Sequence, residues 1–416
     1  MTRLFTSPSR ARAAIAFSTT LLLFVASPAG AVPFGTFTPR AQAMGGAAVA
    51  SAAPDDGAFA NPALLATRRP DGHFSFGGPM ITARVSGRRH FLHDLDRVQS
   101  DYARARRVVA ACVAPYRCNG GARQAAVAAL QRLQQSLVQI NGDRVTGDAT
   151  GAVTIGLPGN GFGGALFADS RLAGGGRADY SSRDRSHLES AIGSIRNSGS
   201  ANLDPSMTLS SSGRFRGALI SEAGIALAHR FGRILAAGIA PKVQRVETID
   251  YTQRVDQASI DYRKGTASSH NLNVDAGIAA RIDDTWRVGL VGRDLVAQDY
   301  PTVAGHTVRI RPSYRLGIAR NGSWFTLAAD YDLNTGNPVG GLGARTRFLS
   351  VGAELDLDDT LKLRLGVRDN RAAPAGTRAT VASAGIGLRI LDAHVDASVI
   401  GNGNELGAGL QAGVAF

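Results

Sequence analysis

Residues 404–416 alternate in character. Leu406, Ala408, Leu410, Ala412, Val414 and Phe416 share one parity, and Glu405, Gly407, Gly409, Gln411, Gly413 and Ala415 share the other. A period of two with one apolar face predicts a strand. The same period recurs at 72–86, 152–157, 162–169, 217–231, 233–248, 269–282 and 285–297. It continues at 307–320, 323–333, 346–357, 360–369, 378–390 and 393–400, about fourteen segments in all. The clearest row sets Leu361, Leu363, Leu365 and Val367 against Lys362, Arg364, Gly366 and Arg368.

Alternation alone also suits a soluble two-layer β-protein, so the connections carry the distinction. The turns at 158–161, 232, 283–284, 321–322 and 358–359 are short. The intervening connections at 87–151, 170–216, 249–268, 298–306 and 334–345 are mostly longer. Short turns at one end and long loops at the other are the plan of an outer-membrane barrel with both termini in the periplasm. The expected fold class is therefore all-β, a transmembrane barrel of antiparallel strands. Trp286, Phe325 and Phe416 fall on the outward parity near the periplasmic rim, and Tyr331 near the other. At 6% aromatic residues this girdle is thin.

One stretch departs from the β pattern. Leu92, Leu95, Val98, Tyr102, Ala105, Val109 and Cys112 recur every three or four residues, as do Val127, Leu130, Leu133, Leu137 and Ile140. This predicts an amphipathic helix pair within an insertion at 88–147, in the first extracellular loop. Pro115 and Asn119-Gly120-Gly121 break it in the middle. Cys112 and Cys118 are the only cysteines. On a continuous helix their Cα atoms would lie about 9 Å apart, too far to bridge. A turn at Pro115 brings them together, and an exported chain is expected to oxidise them to a disulfide.

The N-terminus reads as a secretory signal over 1–31. Arg3, Arg10 and Arg12 precede an apolar run and a small-residue cleavage site after Ala31. Residues 32–70 are rich in Ala and Gly without a sustained period, and suit a compact plug inside the barrel of 71–416. Ala43-Met44-Gly45-Gly46-Ala47, then Asp55-Asp56, then Asn61-Pro62-Ala63-Leu64 stand there in order. This order resembles the opening of the FadL-like outer-membrane family, and most of all its TraF-type plasmid (conjugal) transfer branch. The resemblance implies a fourteen-stranded barrel with an N-terminal plug, and singles out Met44, Gly45, Gly46, Asn61 and Pro62 as the plug motif. It implies lateral passage of hydrophobic substrates through the wall. The terminal Phe416 also resembles the signal read by barrel-assembly machinery.

The formal charge is +13, and removal of the three leader arginines leaves +10. Such a basic exported chain could meet outer-membrane lipid and lipopolysaccharide, but a solvated lumen and loops account for the charge more simply; no direct nucleic-acid site is evident. No catalytic constellation, cofactor motif or metal set is expected. His90, His93, Asp94 and Asp96 are the nearest approach to a metal cluster, and charged residues leading into a helix explain them.

The inward parity is charged. Arg309, Arg311 and Arg315 are expected on one strand face, Asp330 and Asp332 on the next, and Lys362 and Arg364 further round. They read either as an anion-selective lumen or as an ion-pair network packing the plug, and the accompanying acids favour the network. Pro241 and Pro312 fall on the lipid-facing parity. Each deletes a ladder hydrogen bond, marking a lateral opening or a tolerated bulge.

Two functions fit. One is a passive conduit for small hydrophobic molecules. The other is a non-transporting component of a conjugal transfer or secretion apparatus, with apparatus proteins as partners.

Overall fold

A computed structural model describes residues 33–415, apart from 68–73, 88–90, 158, 160, 205–206, 258–264 and 377–378. The signal over 1–31, His90 and Phe416 therefore lie outside the described residues.

Fourteen strands close into one antiparallel barrel. In chain order they begin with β1 Ser75–Gly87, β2 Arg144–Leu157, β3 Phe162–Asp179, β4 Ser212–Phe231, β5 Leu235–Arg254, β6 Thr266–Arg281 and β7 Trp286–Arg293. After a small hairpin, β8 Gln298–Pro301 and β9 Thr307–Ile310, the wall resumes with β10 Ser313–Asn321, β11 Phe325–Asp332 and β12 Phe348–Leu357. It ends with β13 Leu361–Asn370, β14 Thr380–Ile390, β15 Ala393–Gly401 and β16 Glu405–Ala415, which zips onto β1. Closure leaves no edge to hydrogen-bond with lipid, which is why sheets cross bilayers only as barrels. No helix among the described residues is long and apolar enough to cross.

Every wall strand carries an exposed apolar side chain outward. Examples are Ile81, Leu166, Ile239, Leu327, Leu365 (66% exposed), Val399 and Leu410. An apolar belt round the whole circumference has no place in water and is the face a barrel shows to hydrocarbon. The wall is uneven in height. Strands β7 and β10 to β16 run 8 to 11 residues, about what a tilted strand needs to cross. Strands β3 to β5 run 18 to 20 and project beyond them on the long-loop side.

The expected strand over 307–320 is two pieces. Residues Thr307–Ile310 leave the wall and pair with Gln298–Pro301, while the wall strand starts only at Ser313. Likewise the strand expected over 285–297 stops at Arg293, where Asp294 takes a positive φ of 52° and the chain turns aside. The resulting β8–β9 hairpin buries Tyr300, Val308 and Ile310 against Ala218, Ile220 and Val246 of the tall wall. Pro312 sits at the break, and this separates Arg309 and Arg311 from Arg315.

The insertion folds as two helices, α3 Phe91–Val109 and α4 Gly120–Ile140; the plug supplies two short ones, α1 Pro39–Ala43 and α2 Gly57–Ala60. Cys112 and Cys118 form a disulfide with Cα atoms 4.9 Å apart. A third outer helix, α5 Ser182–Ser198, was not read from the sequence. Leu188, Ile192 and Ile195 of α5 join Leu130, Leu133 and Leu137 of α4 in one outer core. The staple is knitted to the end of α5: Cys118 N donates to Gly199 O at 2.8 Å, and Ala201 N to Cys112 O at 2.9 Å.

Candidate functional site: the plugged lumen

Residues 33–67 occupy the lumen, and the wall is shaped to receive them. Inward-facing glycines recur where the plug backbone passes. A Cβ added at Gly277 would stand 2.0 Å from Asn61 Oδ1, at Gly366 2.2 Å from Gly45 N, and at Gly163 2.2 Å from the Leu65 carbonyl carbon. Gly238 meets Pro62 and Gly352 meets Met44 at 2.5 Å, and Gly289 meets Val49 O at 2.7 Å. No other residue leaves room for backbone against backbone at these positions.

The motif residues work at this contact. Gly45 and Gly46 take φ of 68° and 98°, turning the chain so that buried Met44 lies flat on β12 and β13. Ser383 Oγ accepts from Gly45 N at 3.0 Å and donates to Ala43 O at 2.8 Å. Asn61 is fully buried. Its Nδ2 donates to Val49 O at 3.0 Å and to Ile278 O of β6 at 3.1 Å, while Oδ1 accepts from Ala63 N at 3.1 Å. One side chain thereby joins two parts of the plug to the wall. Pro62 then opens a buried 3₁₀ turn, Pro62–Thr67, facing β3 to β6.

The lumen charges are paired. Asp330 Oδ2 accepts from Ala48 N and Val49 N at 2.8 and 3.0 Å. Arg315 Nε donates to Asp332 at 2.6 Å and its guanidinium lies 4.1 Å over the Phe34 ring. Arg364 joins Glu354 at 2.6 Å and also Asp396, and plug residue Arg40 holds the same Glu354 with two bonds of 2.9 Å. Lys362 pairs with Asp356. Arg311 pairs with Asp299 of the hairpin, and Arg309 is exposed on β9, so neither lies beside Arg315. The arrangement is an ion-pair network, not a bare basic lining. In the plug, burial pushes the Asp56 carboxyl up to about 6, against the opposing pull of Arg40.

A second cluster was missed. Lys242 Nζ lies 3.0 Å from Glu222, 2.9 Å from Asp275 and 2.9 Å from Asp294, with Arg293 3.4 Å from Asp275. Lys242 follows Pro241, whose ring is on the exposed side of β5. The ladder to β4 lapses there, between the pairs Gly224↔Lys242 and Leu227↔Ile239, while Pro241 stays in register with Val274 of β6. The signal was available: Lys242 is the one lysine on a strand otherwise read as wall, with Glu222 on the inward parity of its neighbour.

Free space is divided by the plug. An outer vestibule of 430 Å³ is bounded by Arg84, Asp148, Arg171 and Glu405, and an inner one of 230 Å³ by Arg40, Asp56, Arg364 and His394. Between them, the gaps around Phe34 and Phe37 hold 20 and 30 Å³, about one water each. Against β3 to β6 the plug is apolar: Phe37 stacks on Phe59 at 5.6 Å and Phe59 meets Phe167 edge-on at 5.9 Å. His93 contacts Arg97 at 3.1 Å on the same helix.

Solved structures share this architecture. The CymD monoaromatic hydrocarbon channel superposes with a TM-score of 0.54 at 12% identity, covering 93% of this chain and 99% of its own. The Ralstonia pickettii toluene transporter TbuX gives 0.51 at 13%, covering 92% and 99%. The P. putida toluene transporter TodX gives 0.51 at 10%, covering 92% and 99%. At these identities the likeness establishes the fold. No curated protein matches by sequence. The family described as "F plasmid transfer operon, TraF, protein" matches residues 58–332, well over half the chain. A closed fourteen-strand wall, a plug seated on glycines and this match together place the chain in the TraF family, on the FadL-type outer-membrane barrel.

Proposed function

We infer that this protein is a plug-gated conduit for small hydrophobic molecules in the bacterial outer membrane, reached through its leader at 1–31. The observation that carries the reading is the Phe37, Phe59 and Phe167 cluster. It gives the plug an apolar flank on the side where the β4–β5 ladder is interrupted. Similar architecture in proteins named as monoaromatic hydrocarbon channels supports a cargo of toluene size. Fold alone does not fix function; the plug's apolar flank is what points to a hydrophobic cargo. With gaps of 20 and 30 Å³ beside it, passage requires the plug to move, and Pro241 is the proposed place for the wall to give; Pro312 precedes the first wall residue of β10 and interrupts no ladder.

Asp330→Ala tests this. It strips two buried plug amides of their acceptor, a loss of about 1–3 kcal/mol each. Liposomes carrying the variant should admit toluene-sized solutes faster than wild type. Equal tightness of both variants and empty liposomes refutes the conduit.

The sealed lumen favours a second reading, a non-transporting component of a transfer apparatus with apparatus proteins as partners. Replacing Phe91–Ile140 by a short turn distinguishes the two. Lost plasmid transfer with unchanged solute flux supports the apparatus role.

A further inference from the structure

Across β11, β12 and β13 the outward face of the wall ends in arginine. Thr346 and Phe348 line the outer vestibule, so Arg345 and Arg347 fall on the opposite parity, toward the bilayer. On β13 Asn370 lines the same vestibule, which puts Asp369 and Arg371 outward. The backbone holds the three arginines together. Arg371 N donates to Arg347 O at 2.8 Å. Asn370 ties in the third: its Nδ2 donates to Arg345 O and its Oδ1 accepts from Arg347 N, each at 2.9 Å.

The charge at this spot does not balance. Arg371 meets Asp369 at 3.0 Å, and Thr380 Oγ1 donates to the same carboxylate at 2.7 Å. Arg347 lies 4.9 Å over the Tyr331 ring and donates from Nε to the Asp332 carbonyl at 3.2 Å. Arg345 is exposed, with no acidic partner among the described residues. Three guanidinium groups thus face one carboxylate. The contrast is Arg245 on the outward parity of β5, which faces Glu247 at 3.7 Å.

Height in the membrane says what lies opposite. Arg347 stands about ten residues above Leu357, where β12 enters its periplasmic turn. That is about 33 Å of strand, which at a tilt of ~40° lifts it about 25 Å, the height of a barrel's apolar band. Below it the outward face is hydrocarbon-like, with Val351 and Val367 exposed. The three arginines therefore stand at the headgroup level of the outer leaflet, on the long-loop side, with Tyr331 as the interfacial aromatic.

We propose that Arg345, Arg347 and Arg371 form a site for the phosphorylated disaccharide headgroup of lipopolysaccharide, whose acyl chains lie down the Val351 and Val367 strip. Guanidinium forks suit phosphate oxygens, and two uncompensated positive charges match a headgroup carrying two phosphates. A soluble polyanion would approach from above, whereas these side chains leave the wall sideways. The site needs only that the barrel stands in the outer membrane and is indifferent to whether it transports.

The test titrates the purified full chain in detergent with bisphosphoryl lipid A and reads the bound fraction by native mass spectrometry. Combined Arg345→Gln, Arg347→Gln and Arg371→Gln should weaken binding about thirtyfold, about fivefold for each uncompensated charge. Arg345→Gln alone, whose side chain has no partner to lose, should weaken it about fivefold without touching the fold. Arg245→Gln, at the same height on the far side, should change nothing. Lipid A stripped of both phosphates should bind wild type no better than the triple variant binds the intact lipid. Equal binding by wild type and triple variant, an equal loss in Arg245→Gln, full binding of the stripped lipid, or displacement by an equal concentration of inorganic phosphate overturns the proposal.

Discussion

Single atoms set the plug's seat. Gly277→Ala places a methyl 2.0 Å from Asn61 Oδ1, so either Asn61 gives up its bond to Ile278 or the strand moves. The expected loss is about 1–3 kcal/mol, read as a lower thermal midpoint in detergent. Gly151→Ala, with nothing within 4 Å, should stay within about 0.5 kcal/mol. Asp56 gives the seat a pH dependence. Its carboxyl is raised to about 6 in the fold, so the folded protein holds that proton more tightly than the unfolded chain. This contribution is complete below about pH 3.8 and is lost as pH rises through about 6. Wild type should therefore gain stability over Asp56→Asn on going from pH 7.5 to pH 5, by a few kcal/mol at most. Equal pH dependence of the two thermal midpoints would refute it. At this scale the sequence was only half legible. The inward glycines were counted as composition, because nothing in one strand says that a second backbone will lie on it.

Elements were easier to read where local pattern and fold agree. The helix pair and its cysteine staple followed from apolar spacing and from Pro115, and the disulfide holds the α3–α4 turn against the end of α5. Closing so short a loop is worth about 2 kcal/mol. Cys112→Ser with Cys118→Ser should speed proteolysis of the outer helices while the barrel keeps its resistance; unchanged cleavage would show that the α4–α5 packing suffices alone. Helix α5 went unread because only Leu188, Ala191, Ile192 and Ile195 mark its buried stripe, in a segment whose polarity resembles a loop. The β8–β9 hairpin was hidden for the opposite reason. Its alternation continues in phase through Arg311 and Pro312, so parity cannot reveal where the wall was left. Read by parity, Arg309 and Arg311 join Arg315 in the lumen row; the hairpin carries both away and Arg315 alone stays.

At the scale of the molecule, the circumferential apolar belt and the strand count were legible, because a two-residue period and alternating loop lengths are consequences of spanning a bilayer. Leu365→Arg, near the middle of that belt, should cost about 2–4 kcal/mol in folding into lipid vesicles. A neutral result would mean that Leu365 does not face hydrocarbon.

The glycine clearances carry one more consequence, for assembly. The plug precedes every strand of the wall, yet Gln42 and Gly45 are bonded to Ser398 and Ser383, on strands made last. A ring fitted this closely to a bobbin cannot be slipped over it once shut. The final seam, between Ser75–Gly87 and Glu405–Ala415, must zip with the plug already inside, which makes the plug the mandrel on which the last strands are wound.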